Sequence, residues 1–170
     1  MYVRRAGRAD NDTYADAVIM FDTETSKSKE STEPVENYVV AFTVSIRAYH
    51  ENICTLYGNK PSELVRTISK IHRQLGADHT IFYCHNLAYD WVFIRQFMFA
   101  RFGTPVKMLA TKSHYPICIE FSNGIILKDS LILAQRSLEK WANDMNVEHK
   151  KAVGSWDYLK IRYQDHKFTT

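Results

Sequence analysis

Val18-Ile19-Met20-Phe21-Asp22-Thr23-Glu24-Thr25-Ser26 is an apolar strand that runs directly into two carboxylates one residue apart. On a strand successive side chains alternate faces, so Asp22 and Glu24 point one way and Thr23 the other. Two like charges held together are unfavourable unless one keeps its proton or a cation sits between them. Hard oxygen ligands at a strand end suit Mg²⁺ or Mn²⁺. The same residues also read as an Asp/Thr/Ser-rich turn ending a buried strand, and the stretch by itself does not choose between the two.

With 170 residues, 45% of them hydrophobic, the chain is long enough for one domain with a substantial core and too short for two ordinary ones. A formal charge of +3 permits a phosphate-bearing partner without demanding one. Cys54, Cys84 and Cys118 are odd in number and widely spaced, each within an apolar run. They read as buried free thiols of a reducing cytoplasm, with neither a disulfide framework nor a zinc site. With no apolar run of about 18 residues and no signal peptide, the expectation is a soluble, cytoplasmic protein without a membrane partner.

Residues 1–16 carry Arg4, Arg5 and Arg8 without apolar periodicity and read as a flexible N-terminal arm; residues 17–170 form the domain. Lys27 to Glu36 is an exposed loop. Tyr38–Ile46 and Asn52–Tyr57 fit an antiparallel hairpin continuing from the first strand. Pro61 opens a helix whose Leu64, Ile68, Ile71 and Leu75 recur at helical spacing before Gly76. Thr80–Cys84 is a short apolar run suited to a buried strand parallel to the first, followed by a helix over about Tyr89–Arg101. Ile117–Phe121 and Ile125–Leu127 flank Asn123-Gly124, a type I′ hairpin signal. Ser137–Met145 predicts a short helix capped by Ser137, with Leu138, Trp141 and Met145 inward. The order of elements is α/β in class, a mixed sheet with helices, for which the ribonuclease-H-like arrangement is one solution.

A third carboxylate follows in His85-Asn86-Leu87-Ala88-Tyr89-Asp90, where the chain leaves a strand, turns and enters a helix. Asp90 in the first turn is favoured by the helix dipole and can face the neighbouring strand end. Asn86 either caps that helix or donates to a ligand.

Strand-Asp-x-Glu followed by strand-Asn-x-x-x-Asp-helix, together with Lys128-Asp129-Ser130-Leu131 and Lys150-Lys151-Ala152-Val153-Gly154-Ser155-Trp156-Asp157-Tyr158, resembles the N-terminal 3′-5′ exonuclease domain of the protein-primed family B DNA polymerases that phages carry. The resemblance spans residues 18 to about 163 and implies a ribonuclease-H-like exonuclease fold, a mixed central sheet flanked by helices. It further implies that Asp22, Glu24 and Asp90 bind two divalent metals, Mg²⁺ or Mn²⁺. One would activate water and the other would stabilise the leaving 3′ oxygen. Thr25, Asn86 and Tyr89 match positions that hold the single-stranded 3′ end, and Ser130-Leu131 a second DNA-contacting pair. Tyr89 suits the task because an aromatic face stacks on any base. Lys150 or Lys151 matches a catalytic lysine that contacts the scissile phosphate. A phage-encoded protein of this kind would work in the cytoplasm of the bacterial host cell.

The family carries a third motif, Tyr-x-x-x-Asp, and none occurs in the last forty or so residues. Tyr163-Gln164-Asp165 has the wrong spacing to share a helical face. The expectation is a domain truncated before that motif, completed by the rest of a polymerase chain or by a partner, and weakly active or inactive alone. The alternative is a catalytically incomplete module that binds single-stranded DNA or a protein partner through the same cleft. A third reading is an unrelated α/β interaction domain whose acids are scattered on the surface.

Overall fold

The computed structural model describes residues 2–4, 12–27 and 37–148. Thirteen elements are found there: β1 (Tyr2–Arg4), β2 (Thr13–Ala15), β3 (Val18–Lys27), β4 (Asn37–Ala48), β5 (Glu51–Gly58), α1 (Pro61–Leu75), β6 (Thr80–Cys84), α2 (Leu87–Phe102), β7 (Lys107–Lys112), β8 (Tyr115–Glu120), β9 (Ile125–Asp129), α3 (Leu131–Ala134) and α4 (Leu138–Asp144). Seven strands form one mixed sheet in the order β5-β4-β3-β6-β9-β8-β7. β6 runs parallel to β3 and to β9, and the remaining pairs are antiparallel. This is the expected α/β class, a mixed central sheet flanked by helices.

The period-2 pattern of β3 sets the layers. Ile19 and Phe21 are buried with Phe42 and Val44 of β4 and Phe82 of β6, against Leu64, Val65 and Ile68 of α1 and Leu87, Trp91, Ile94 and Met98 of α2. Burying each such side chain contributes about 1.5–3 kcal/mol. Val18, on the other pleat face, is exposed. Helix α1 starts with Pro61 in its first turn and stops at Gly76, whose φ of 64° lets its N–H reach the His72 carbonyl.

Local details refine the sequence reading. The β8–β9 turn is not type I′, which needs positive φ at two residues. Only Gly124 has it, at 85°, and the Gly124 N–H bonds back to the Phe121 carbonyl while Phe121 and Ile125 pair. This is a three-residue loop with glycine in the left-handed position. Ser137 does cap α4, accepting from the Lys140 N–H, but Leu138 and Met145 are 40% and 66% exposed. Helical spacing describes a face and does not supply a partner for it. Of the three free cysteines only Cys84 is buried. Residues 2–4 and 13–15 pair as an antiparallel ladder, and Ala15 and Thr13 bond to His79 through the main chain. No helix among the described residues is long and apolar enough to cross a membrane.

Candidate nucleic-acid interface

β6 pairs with β3 at Ile19 and Met20 and then leaves the sheet after Cys84 for α2. Beyond Phe21, the β6-side edge of β3 would therefore present main-chain groups to nothing. Asp90, in the first turn of α2, closes it: one carboxylate oxygen accepts from the Thr23 N–H at 2.9 Å and from the Thr23 hydroxyl at 2.6 Å. The other oxygen accepts from the Cys84 thiol at 3.1 Å. Asp90 is 2% exposed. Burial pushes its carboxyl above the ordinary range, and the Thr23 and Cys84 hydrogen bonds pull the other way. Burial and the adjacent Asp90 charge likewise push the Cys84 thiol well up.

Thr25 repeats the arrangement one pleat further on, where its hydroxyl pairs with that of Tyr89. Thr23 and Thr25 thus face α2, and Asp22 and Glu24 face away from it. Asp22 is exposed and Glu24 half-buried. The three carboxylates are brought to one strand end but not to one point. No group of three His, Cys, Asp or Glu among the described residues is placed to hold a metal ion. Both Asp90 oxygens accept hydrogen bonds from Thr23 and Cys84, so this geometry does not bring Asp22, Glu24 and Asp90 together as the expected triad. As placed here the carboxylates show no ready-made two-metal centre among the described residues; Asp22 and Glu24 are the pair that would hold a cation.

Asn86 does not cap α2 through its side chain. It sits in the left-handed region at φ 72°, a conformation Asn tolerates better than most residues, and it is exposed. Its N–H donates to Asp129 at 3.0 Å, and the Leu131 N–H donates to the same oxygen at 2.8 Å. Asp129, within the quoted Lys128-Asp129-Ser130-Leu131 motif but not singled out, thereby ties the turn before α2 to the start of α3.

Ser130, expected to contact DNA, is turned inward. It is 4% exposed, its hydroxyl donates to the Cys84 carbonyl at 3.2 Å, and it lies 3.1 Å from His85 Nδ1. Leu131 is half-buried and lines a groove of about 600 Å³ with Asn86, Tyr115, Ile132, Gln135 and Arg136. Tyr89 is 44% exposed and braced edge-on by Phe93 at 5.3 Å. His85, missed in the sequence, stacks on Trp141 at 6.3 Å, and its buried Nε2 has no partner among the described residues. Lys150 and Lys151 lie outside the described residues.

No known protein-family profile matches this chain, and no curated protein does. Two solved structures share its fold. Phi29 DNA polymerase complexed with single-stranded DNA aligns with a TM-score of 0.68 at 19% identity, covering 91% of this chain and 27% of the polymerase. The same polymerase with primer-template DNA and incoming nucleotide aligns at 0.66 with the same identity and coverage. The chain thus spans about a quarter of the length of the polymerase it matches. The likeness to protein-primed family B polymerases expected from its motifs holds at the level of fold: this chain is built like one part of Phi29 DNA polymerase.

Proposed function

We propose that the domain receives the 3′ end of single-stranded DNA at the mouth between β3 and α2, as an exonuclease-type domain of a phage-type polymerase. The observation that carries this reading is the Thr25–Tyr89 hydroxyl pair. It holds a half-exposed ring three residues from exposed Asn86, which itself lines a groove wide enough for a nucleotide. A ring so held stacks on a base without reading its identity. The shared fold with a polymerase solved on single-stranded DNA supports the same reading.

Divalent metal would supply the hydrolytic chemistry in such a domain. Asp22 and Glu24, as a pair, hold a cation more loosely than a complete carboxylate set, so binding without efficient cleavage is expected of residues 1–170. The chain's own residues position the strand: Tyr89 by stacking, Asn86 by hydrogen bonding, Asp90 by keeping Thr23 aligned with α2. Cleavage would then require groups from further chain or from a partner, supplying what the third motif supplies in the family.

Fluorescence anisotropy of a labelled single-stranded oligonucleotide, with and without Ca²⁺, tests this. Binding that strengthens with Ca²⁺ and weakens with salt is expected. A folded protein that binds in neither condition overturns the reading in favour of an interaction domain. Digestion in Mg²⁺, abolished by Asp22→Ala, would show that another residue of this chain fills the place of the third motif.

A further inference from the structure

We infer that the outer groove between α1 and α2 is a second DNA-contacting surface, one that holds the phosphate backbone away from the 3′ end. A groove of about 670 Å³ there is lined by Ser62, Arg66 and Ser69 of α1, Phe97 and Arg101 of α2, and Asn123. Its polar lining consists of groups that can donate. Arg101 already gives one N–H to the Ser69 hydroxyl at 3.2 Å, which orients the guanidinium across the groove. Asn123 uses its side-chain carbonyl oxygen to accept from the Ile125 N–H at 3.3 Å, which leaves its amide N–H₂ as a donor for a ligand. No carboxylate lines the groove. Glu63 lies 3.8 Å from Arg66 in an exposed i,i+3 pair, which contributes little and is displaced easily.

The sequence of α1 extends the charge. Ser62, Arg66, Ser69 and Arg73 fall at intervals of four, three and four, one stripe of a helix. Two or three guanidiniums with hydroxyl and amide donors match phosphate oxygens, which accept and do not donate. Arg101 is twelve residues beyond Tyr89 on α2, roughly 18 Å along the helix at 1.5 Å per residue. The groove is therefore separate from the β3–α2 mouth. DNA is the occupant chosen because the charge is complementary to a polyphosphate, and the choice rests on the function proposed above.

The test compares two labelled single strands on the full chain. One has about 3 nucleotides, spanning roughly 10 Å at stacked spacing, too short to bridge the two places; the other has about 15. Arg66→Ala/Arg101→Ala should weaken the long strand about tenfold or more and flatten its salt dependence by roughly 1.4 in log–log slope, for two phosphates lost. It should leave the short strand unchanged, whereas Tyr89→Ala should weaken the short one. Both residues are exposed, and circular dichroism confirms that the double variant is folded. Unchanged affinity and slope for the long strand overturn the inference and leave the mouth intact. Long-strand binding that needs the arginines without any short-strand binding keeps the inference and removes the 3′-end reading. Polyglutamate displacing the long strand more effectively than unlabelled DNA overturns it in favour of an acidic protein partner.

Discussion

Thr23 gives both its backbone N–H and its hydroxyl to one oxygen of Asp90, sixty-seven residues away. The contact is what holds the start of α2 against β3 where β6 has left the sheet. Asp90→Ala would leave both Thr23 donors buried and unpaired, at a cost of about 1–3 kcal/mol. Asp90→Asn keeps an acceptor for Thr23 and should retain most of that stability. Urea midpoints of the two variants check the order.

The same carboxyl makes a pH prediction. Burial raises it above the ordinary value of 3.8, so between 3.8 and the raised value the folded state holds more protons than the unfolded one. Its contribution to stability is fully present below 3.8 and is lost as pH rises through the folded value. Asp90→Asn should flatten that part of a stability-against-pH profile. A wild-type profile that rises through this window, with Asp90→Asn parallel to it, would mean that Asp90 is ionised throughout.

Tyr89→Ala should lose about 1–3 kcal/mol of single-stranded DNA affinity if a base stacks on the ring. Tyr89→Phe keeps the ring and its contact with Phe93 but loses the bond to Thr25, so it should lose less. Equal losses in anisotropy titrations would assign the role to the hydroxyl.

Much of this arrangement is readable in the sequence because it is local. Alternation in Val18–Ser26, Pro61 and Gly76 around α1, and the turn before Asp90 each act within a few residues, and they place Asp22, Glu24, Asn86, Tyr89 and Asp90 at one end of the sheet. What was not legible depends on contacts across the chain. That Asp90 would bond to Thr23 rather than join Asp22 and Glu24 is decided by where β6 leaves β3. That Ser130 would turn inward is decided by the Cys84 carbonyl and His85. β7, with six exposed residues, has no buried face to write a pattern into its sequence.

Gly124 shows how closely the turn packs. A Cβ there would lie 1.7 Å from the Asp78 carbonyl oxygen, and φ is +85°. Gly124→Ala must displace the chain that carries Asp78 and weaken the Thr80 N–H bond to Gly124, 3.0 Å long. A loss of at least about 2 kcal/mol is expected, seen as a drop in Tm of about 4–8 °C.

Asp78 also anchors β2, accepting from the Thr13 N–H at 2.8 Å and hydroxyl at 2.7 Å. The Thr13 N–H, then its hydroxyl, hold this carboxyl below its ordinary value of 3.8. The anchorage is present above 3.8 and is lost as pH falls through the folded value. The protection of the Thr13 and Ala15 amides, measured as exchange relative to the intrinsic rate at each pH, should fall in acid, and Asp78→Ala should show that lower protection already at neutral pH.

The division between the Asp22/Glu24 pair and Asp90 predicts how cations couple to DNA. Asp22 and Glu24 share the strand face that points away from α2, while both oxygens of Asp90 are occupied by Thr23 and Cys84. Empty carboxylates repel phosphate, so a cation held by the pair should raise DNA affinity. Asp22→Ala or Glu24→Ala should abolish the gain on adding Ca²⁺. Asp90→Asn should leave it within about twofold, since Asn preserves the acceptor for Thr23 and removes no cation ligand; twofold is about 0.4 kcal/mol. Anisotropy titrations with and without Ca²⁺ for the three variants decide the matter. If Asp90→Asn abolishes the gain as completely as Asp22→Ala, the buried carboxylate turns outward when a cation binds, and the pair becomes the expected triad.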